Sequence, residues 1–189
     1  NIFEKHDHVI FYMQSGTLIT FNDARRFGAM DMAPTKTLDK HWLLKRLGPE
    51  PLGNGLNAEY LSERFKNKNT AIKTTLLDQQ IVAGLGNIYV CEILFRSGVS
   101  PQKNTNKLKI KEIERLVKFT RSVLIEAIEA GGSSLKDHRQ TNGELGYFQH
   151  NFLVYGREDE NCVNDDCQTI IKRVIQSGRS TFYCSKCQR

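Results

Sequence analysis

The first 33 residues place apolar and polar side chains in short runs that are typical of β-strands. β-Branched and aromatic residues dominate residues 8–13 and 17–21, and a Gln-Ser-Gly turn separates the two runs. A third short run covers residues 27–32. Because three strands make a poor sheet by themselves, we expect residues 1–33 to be the final part of a β domain.

After Pro34 the apolar residues recur at helical spacing. The helices predicted in this way are residues 38–47, 58–65, 70–83, 88–97 and 111–130. The last is the most clearly amphipathic, because one face carries Ile113, Leu116, Val117, Leu124, Ala127 and Ile128. Residues 133–150 are polar and predict a long loop, which in a compact domain is commonly functional.

Four of the five cysteines lie in the last 28 residues as two close pairs: Cys162 and Cys167, then Cys184 and Cys187. Two strands, residues 169–175 and 179–183, are predicted between the pairs around a glycine turn. Each pair can chelate from one knuckle, which suits tetrahedral zinc. Two disulfides are the alternative, but the 189 residues show no secretory segment, and thiols in the cytosol stay reduced.

The positive charge is concentrated in the middle of the chain. Residues 34–150 carry 18 basic and 12 acidic side chains, whereas the flanking segments are close to neutral. The middle segment could therefore face a polyanion, although a solvated basic surface would give the same composition.

Two short segments could contact such a polyanion. The loop at residues 22–28 combines Arg25, Arg26 and Phe27, a set that can hold phosphate while a ring enters a base stack. On this motif alone, a strand that begins at Phe27 and faces the core is the simpler interpretation. The glycines of residues 84–87 predict a tight turn before a helix, whose N-terminus favours phosphate.

Upstream lysines could line the same groove as this turn: Lys66, Lys68 and Lys73. A plain helix cap with solvated lysines is the alternative. Arg179 lies beside the tip of the cysteine-flanked hairpin, where bound metal would fix its position, whereas Cys91 falls in an apolar helix and predicts a core position.

Five segments in order resemble the bacterial formamidopyrimidine-DNA glycosylase family: residues 25–28, 47–52, 78–89, 143–148 and 178–184. The resemblance covers essentially the whole chain. It implies an α+β multidomain fold, with the C-terminal part of a β-sandwich at 1–33, a helix-two-turns-helix DNA-binding domain at 34–150 and a zinc finger with one structural Zn(II) at 151–189.

The resemblance also implies roles for individual residues. Arg25 and Phe27 would fill the gap left by a flipped nucleotide, and Arg179 would grip phosphates at the lesion and act as the candidate proton donor. The loop from Ser133 to Tyr147 would close over the extruded base. The remaining DNA contacts, chiefly to phosphate, would be His6, Lys68, Lys73 and Asn87.

The implied function is excision of oxidised purines such as 8-oxoguanine and formamidopyrimidines from duplex DNA, followed by nicking of the abasic strand. The implied protein is a monomer that acts on damaged double-stranded DNA in the bacterial cytoplasm, at the nucleoid. Two details depart from the family: four residues separate Cys162 and Cys167 where two are usual, and Ala24 replaces a proline.

The family's chemistry uses an N-terminal proline amine with an adjacent glutamate and a hairpin lysine. These are not found in this chain, whose prolines are all internal. We therefore expect a C-terminal portion that binds DNA without cutting it. An oxidised-pyrimidine glycosylase of the endonuclease VIII type and a non-enzymatic zinc-finger module remain as alternatives.

Overall fold

The computed structural model describes residues 3–134 and 145–189, and its internal contacts separate two units, Asn1–Leu44 and Lys45–Arg189. Each unit has its own architecture. Within the described residues no helix is both long and apolar enough to cross a membrane.

The first unit is built on an antiparallel hairpin. Strand β1 (Asp7–Tyr12) pairs with β2 (Leu18–Asn22), so that Ile10 faces Thr20, and a bulge interrupts the ladder between Asp7 and Val9. No described residue of this unit is buried. The two predicted strands at 8–13 and 17–21 are thereby confirmed to within one residue at each end.

Two predictions for this unit were wrong. Residues 27–32 form no strand, and residues 38–47 form no α-helix; a 3₁₀ helix covers Thr35–Lys40 instead. The physical reason is local side-chain bonding to the backbone and to neighbouring rings. Asp23 accepts a hydrogen bond from the N–H of Gly28, within the predicted strand, and Asp31 accepts hydrogen bonds from the rings of His41 and Trp42 at 2.9 and 3.0 Å.

The second unit is helical up to the cysteines. Its α-helices are α1 (Ala58–Phe65), α2 (Ile72–Leu76), α3 (Asn87–Ser97) and α4 (Ile110–Glu129), with short 3₁₀ turns at Thr105–Lys107 and Phe148–Asn151. The predictions for α1, α3 and α4 are confirmed. Asn57 caps α1 through the N–H of Tyr60, and α3 ends at Gly98, whose φ of +66° favours glycine.

The prediction of one helix over residues 70–83 was wrong beyond α2. After Leu76 the chain turns, and its backbone bonds with the segment around Pro49 instead: the N–H of Gly48 donates to Gln79 O, and that of Ala83 donates to Pro49 O. Gly48 packs so closely on Ile81 that an added Cβ would lie 2.5 Å from the Ile81 backbone. The apolar residues of this stretch are buried as a loop, not as a helix face.

The main core lies among the four helices, where α4 packs against α1 and α3. Its fully buried members include Leu61, Phe65, Ile72, Val90, Ile93, Leu94, Leu116 and Val123. A second, smaller cluster joins the other side of α3 to the C-terminal hairpin through Cys91, Phe95, Val154, Ile171 and Phe182. The predicted core position of Cys91 is confirmed.

The C-terminal hairpin pairs β3 (Lys172–Gln176) with β4 (Arg179–Tyr183) in an antiparallel register that sets Val174 opposite Thr181. Ser177 and Gly178 form the turn, both with positive φ, +49° and +73°. This confirms the predicted hairpin, although β3 begins three residues later than expected.

Candidate metal centre and nucleic-acid interface

The two cysteine pairs converge at the base of the hairpin. All four sulfurs lie within 4.8 Å of one another, with 3.8 Å between Cys162 and Cys187 and 3.6 Å between Cys167 and Cys184. A tetrahedral ion with sulfurs at about 2.3 Å separates them by about 3.8 Å. The four side chains therefore fit one tetrahedral metal ion and form no disulfide.

The thiols do not ionise alike in this cluster. Burial raises the pKa of the Cys162 thiol to about 12, whereas the backbone N–H of Thr169 lowers the pKa of Cys167 to about 6. Burial also raises the pKa of Cys187. A bound cation stabilises thiolate ligands, and its binding displaces their remaining protons.

Arg179 begins β4 immediately after the turn and is exposed. The turn is attached to the helical part of the unit by two side-chain contacts. The hydroxyls of Thr74 and Ser177 lie 3.1 Å apart, and Gln176 Nε2 donates to Pro101 O at 3.2 Å. The position of Arg179 is therefore set from two sides, by the cysteine cluster and by the helices.

Lys73 and Asn87 converge on the backbone beside Arg179. Lys73 Nζ donates to the Ser180 carbonyl at 3.0 Å and to the Thr181 hydroxyl at 2.7 Å, and Asn87 Nδ2 donates to the same carbonyl at 2.9 Å. Lys73 has no exposed surface. Burial lowers the pKa of Lys73, and the charge of Arg179 acts in the same direction.

These contacts show a structural task for Lys73 that the sequence did not reveal. The ammonium is fully buried and supports β4, and the phosphate contact that the resemblance implied stays a prediction. Asn87 uses one amide hydrogen for the hairpin and is only partly buried. A second amide hydrogen remains on the same nitrogen.

The turn before α3 is held by Gln79, a residue to which sequence reasoning assigned no role. Its side chain accepts from the Gly84 N–H at 2.7 Å and donates to Leu85 O at 3.1 Å. Gly84 has a φ of +79°, and Gly86 caps α3 without a side-chain hydrogen bond. The first N–H groups of an 11-residue helix are therefore left for an anion.

Lys68 lies in the same unit with its side chain more than a third exposed, and its ammonium is 3.6 Å from Asp78. A pair this exposed is weak. Lys68 can therefore exchange Asp78 for a phosphate at little cost.

The other three predicted residues belong to the first unit. Arg25 lies over the ring of Phe27, with 4.7 Å from Cζ to the ring centroid, and Phe27 is 80% exposed. The simpler interpretation of Phe27 as a core-facing strand residue was wrong. His6 is partly buried, with a φ of +83°, and its carbonyl accepts from Asp23 N.

Asp23 organises the loop at residues 22–28, which is called the arginine loop below. Its carboxylate accepts from the N–H groups of Arg25, Arg26 and Gly28 at 3.1, 2.9 and 2.6 Å. The bond from Gly28 is the main cause of a lowered Asp23 pKa. The Asp23 carboxylate thus fixes the shape of a loop that exposes the ring of Phe27 beside the guanidinium of Arg25.

Sequence reasoning also missed Glu92, a carboxylate inside the apolar face of α3. It is fully buried and accepts from three successive N–H groups, those of Leu153, Val154 and Tyr155, at 2.9 to 3.0 Å. The sequence feature that could have indicated its role is that Glu92 is the single charged residue in the apolar helical run of residues 88–95. Glu92 ties α3 to the chain that leads into the cysteine cluster.

The helical unit with its open helix N-terminus and four-cysteine hairpin is similar to one class of known proteins, whose members are named DNA glycosylases. Residues 47–139 match the family model described as the formamidopyrimidine-DNA glycosylase H2TH domain. The computed structure is similar to a crystal structure of MutM (Fpg) from Thermus thermophilus, with a TM-score of 0.87 and 38% identity over 98% of this chain and 69% of that one.

A complex of Lactococcus lactis Fpg with abasic-site DNA gives the same TM-score at 35% identity, covering 98% of this chain and 67% of that one. Formamidopyrimidine-DNA glycosylases of Jannaschia sp. and Ruegeria pomeroyi are each 60% identical to 98% of this chain. The chain belongs to the formamidopyrimidine-DNA glycosylase family. It spans 65% and 66% of the length of these two relatives.

Proposed function

We propose that this chain is the DNA-gripping portion of a bifunctional DNA glycosylase and abasic-site lyase that removes oxidised purines from duplex DNA in the bacterial cytoplasm. One observation supports this most: Lys73 and Asn87, from two helices, hold the carbonyl next to Arg179. These hydrogen bonds connect the uncapped N-terminus of α3 to the strand that carries the Arg179 guanidinium. Both the helix N-terminus and the guanidinium favour phosphate.

The role proposed for each residue follows from its exposure and contacts. Arg179, Lys68 and the second amide hydrogen of Asn87 contact phosphates, with Arg179 also the candidate proton donor in strand cleavage. His6, Arg25 and Phe27 contact DNA from the first unit, and the exposed ring of Phe27 supports a wedge between bases. Lys73 is a positioning residue for the strand that carries Arg179.

The proposed ion is one Zn(II) held by Cys162, Cys167, Cys184 and Cys187. Thiolate ligands alone, in a tetrahedral arrangement, favour zinc among the common divalent ions. A bound zinc ion contributes folding energy to the hairpin and therefore fixes Arg179. The proposed closure of the loop between Ser133 and Tyr147 involves residues 135–144, which lie outside the described residues.

Chemistry at the sugar requires an amine nucleophile in this family. The nitrogens of Pro34, Pro49, Pro51 and Pro101 are internal amides, so a polypeptide of these 189 residues offers no proline amine. We therefore expect DNA binding without cleavage. Borohydride added to the chain and an 8-oxoguanine duplex should trap no covalent adduct.

The test of the proposed phosphate contacts compares two arginines of the same hairpin. With about five phosphate contacts, the slope of log affinity against log salt concentration is expected to be about −4 to −5, measured by fluorescence anisotropy on an abasic-analogue duplex. Arg179→Ala should reduce the magnitude of this slope by about one. Arg173→Ala removes the same charge from β3, where the side chain is bonded to Glu158 and Ser180, and should leave the slope unchanged.

Two results would overturn the proposal: equal slopes for the two variants, or DNA affinity that survives complete removal of the metal by a chelator. A protein that includes the family's N-terminal segment separates the oxidised-purine function from the endonuclease VIII alternative. Excision of 8-oxoguanine in preference to thymine glycol supports the former, and the reverse preference supports the latter.

A further inference from the structure

The first cysteine knuckle of this chain is long, with four residues between Cys162 and Cys167. One of the four, Asn164, reaches across to the second knuckle. Its Nδ2 donates a hydrogen bond to the sulfur of Cys187 at 3.1 Å. The longer knuckle therefore supplies a donor to a sulfur of the opposite pair.

The knuckle holds Asn164 in position through its backbone. The Asn164 carbonyl accepts from the Cys167 N–H at 2.8 Å, and the Cys162 N–H donates to Thr169 O at 2.9 Å. A second link between the knuckles runs from Lys186 Nζ to Asp166 O at 3.0 Å. Because the turn is already formed, the amide reaches Cys187 with little further loss of chain entropy.

Cys187 is the least buried of the four clustered cysteines, so a hydrogen-bond donor to its sulfur has the largest effect. Cys162, Cys167 and Cys184 are buried, whereas Cys187 is only partly buried. Four thiolates on a divalent ion carry a net charge of about −2, which donors around the sulfurs offset. Cys187 is therefore also the cysteine that solvent and competing ligands reach first.

We propose that Asn164 is a supporting residue of the metal centre that keeps the Cys187 thiolate on the ion and slows loss of the ion. The proposal rests on the zinc centre proposed above and adds a role for a residue outside the four ligands. Release transfers Zn(II) to a competing chelator and leaves thiolates that take up protons from water. Removal of the Asn164 donor should accelerate that transfer at its most accessible sulfur.

The experiment measures zinc transfer from the purified 189-residue protein to a chromophoric chelator, followed by absorbance at constant pH. Asn164→Ala should release zinc about tenfold faster than the unmodified chain, the lower end of effects for such partners because Asn164 is exposed. Asn164→Asp keeps the shape but replaces the donor with a carboxylate. It should release zinc at least as fast as Asn164→Ala.

Asn161→Ala is the matched control, since Asn161 precedes Cys162 in the same knuckle and its side chain makes no hydrogen bond among the described residues. It should release zinc at the original rate. Total zinc per chain and helical circular dichroism are recorded for each protein. A variant of Asn164 that retains its helices but loses zinc during purification also supports the proposal.

Two results overturn it in distinguishable ways. Absence of bound zinc in the unmodified chain rejects the zinc centre and this role together. One equivalent of zinc with equal release rates for Asn164→Ala, Asn164→Asp and Asn161→Ala rejects the role of Asn164 alone.

Discussion

Each unit of this protein has a carboxylate that accepts three backbone N–H hydrogen bonds, but the surroundings of the two carboxylates differ. Glu92 accepts three backbone N–H bonds in the interior of the second unit, and Asp23 accepts three on the surface of the first. The second unit has two buried clusters, whereas no described residue of the first is buried. Local polar bonding shapes the first unit, and apolar burial stabilises the second.

The largest expected difference concerns matched leucines. Leu116→Ala removes a fully buried side chain from α4 and should lower the free energy of unfolding by about 2–5 kcal/mol. Leu18→Ala acts on β2, where the leucine is 42% exposed, and should cost less than about 1 kcal/mol.

Urea unfolding with two signals tests this pair. The single tryptophan, Trp42, reports on the first unit, and the four α-helices described above dominate circular dichroism from the second. Leu116→Ala should move the circular dichroism transition of the second unit, and any effect of Leu18→Ala should appear in the Trp42 fluorescence of the first. Equal losses for the two variants would remove the distinction between the units.

A smaller effect is expected when each carboxylate becomes an amide of the same shape. Glu92→Gln replaces an acceptor oxygen with a donor against buried N–H groups, which should cost about 1–3 kcal/mol by the same circular dichroism measurement. Asp23→Asn should cost less, because water satisfies exposed N–H groups. A larger loss for Asp23→Asn would show that the first unit depends on its loop more than its exposure indicates.

The smallest effect is a pH response confined to the arginine loop. The N–H of Gly28 lowers the pKa of Asp23 below its usual 3.8. The carboxylate therefore stabilises the loop above pH 3.8, and this contribution is lost as the pH falls through the lowered pKa. The amide NMR signal of Gly28 should hold its position down to about pH 4 and move below it, and Asp23→Asn should abolish the movement.

The same contrast explains which elements the sequence can predict. Residues 111–130 are recognisable as a helix because α4 buries a periodic apolar face, and the family model matches residues 47–139 of the same unit. In the first unit, residue type alone places Phe27 in a strand. Without a core to face, the Asp23 bonds decide its conformation instead.

Within the second unit, the features that the sequence did not reveal involve long-range partners. Residues 77–83 are apolar enough for a helix, but their backbone groups bond to the chain near Pro49. The hydrogen bonds of Lys73 to the hairpin are not recognisable from the sequence, because their acceptors are 107 and 108 residues away. The four clustered cysteines are recognisable because the spacing within each pair is local, whereas no local pattern places Asn164 against Cys187.

The acceptor shared by Lys73 and Asn87 is a main-chain oxygen, that of Ser180. Every amino acid supplies that atom, so position 180 can change its side chain without breaking the junction, while positions 73 and 87 cannot. The side chain at position 180 can thus vary while the hydrogen bonds of Lys73 and Asn87 to the main chain stay the same.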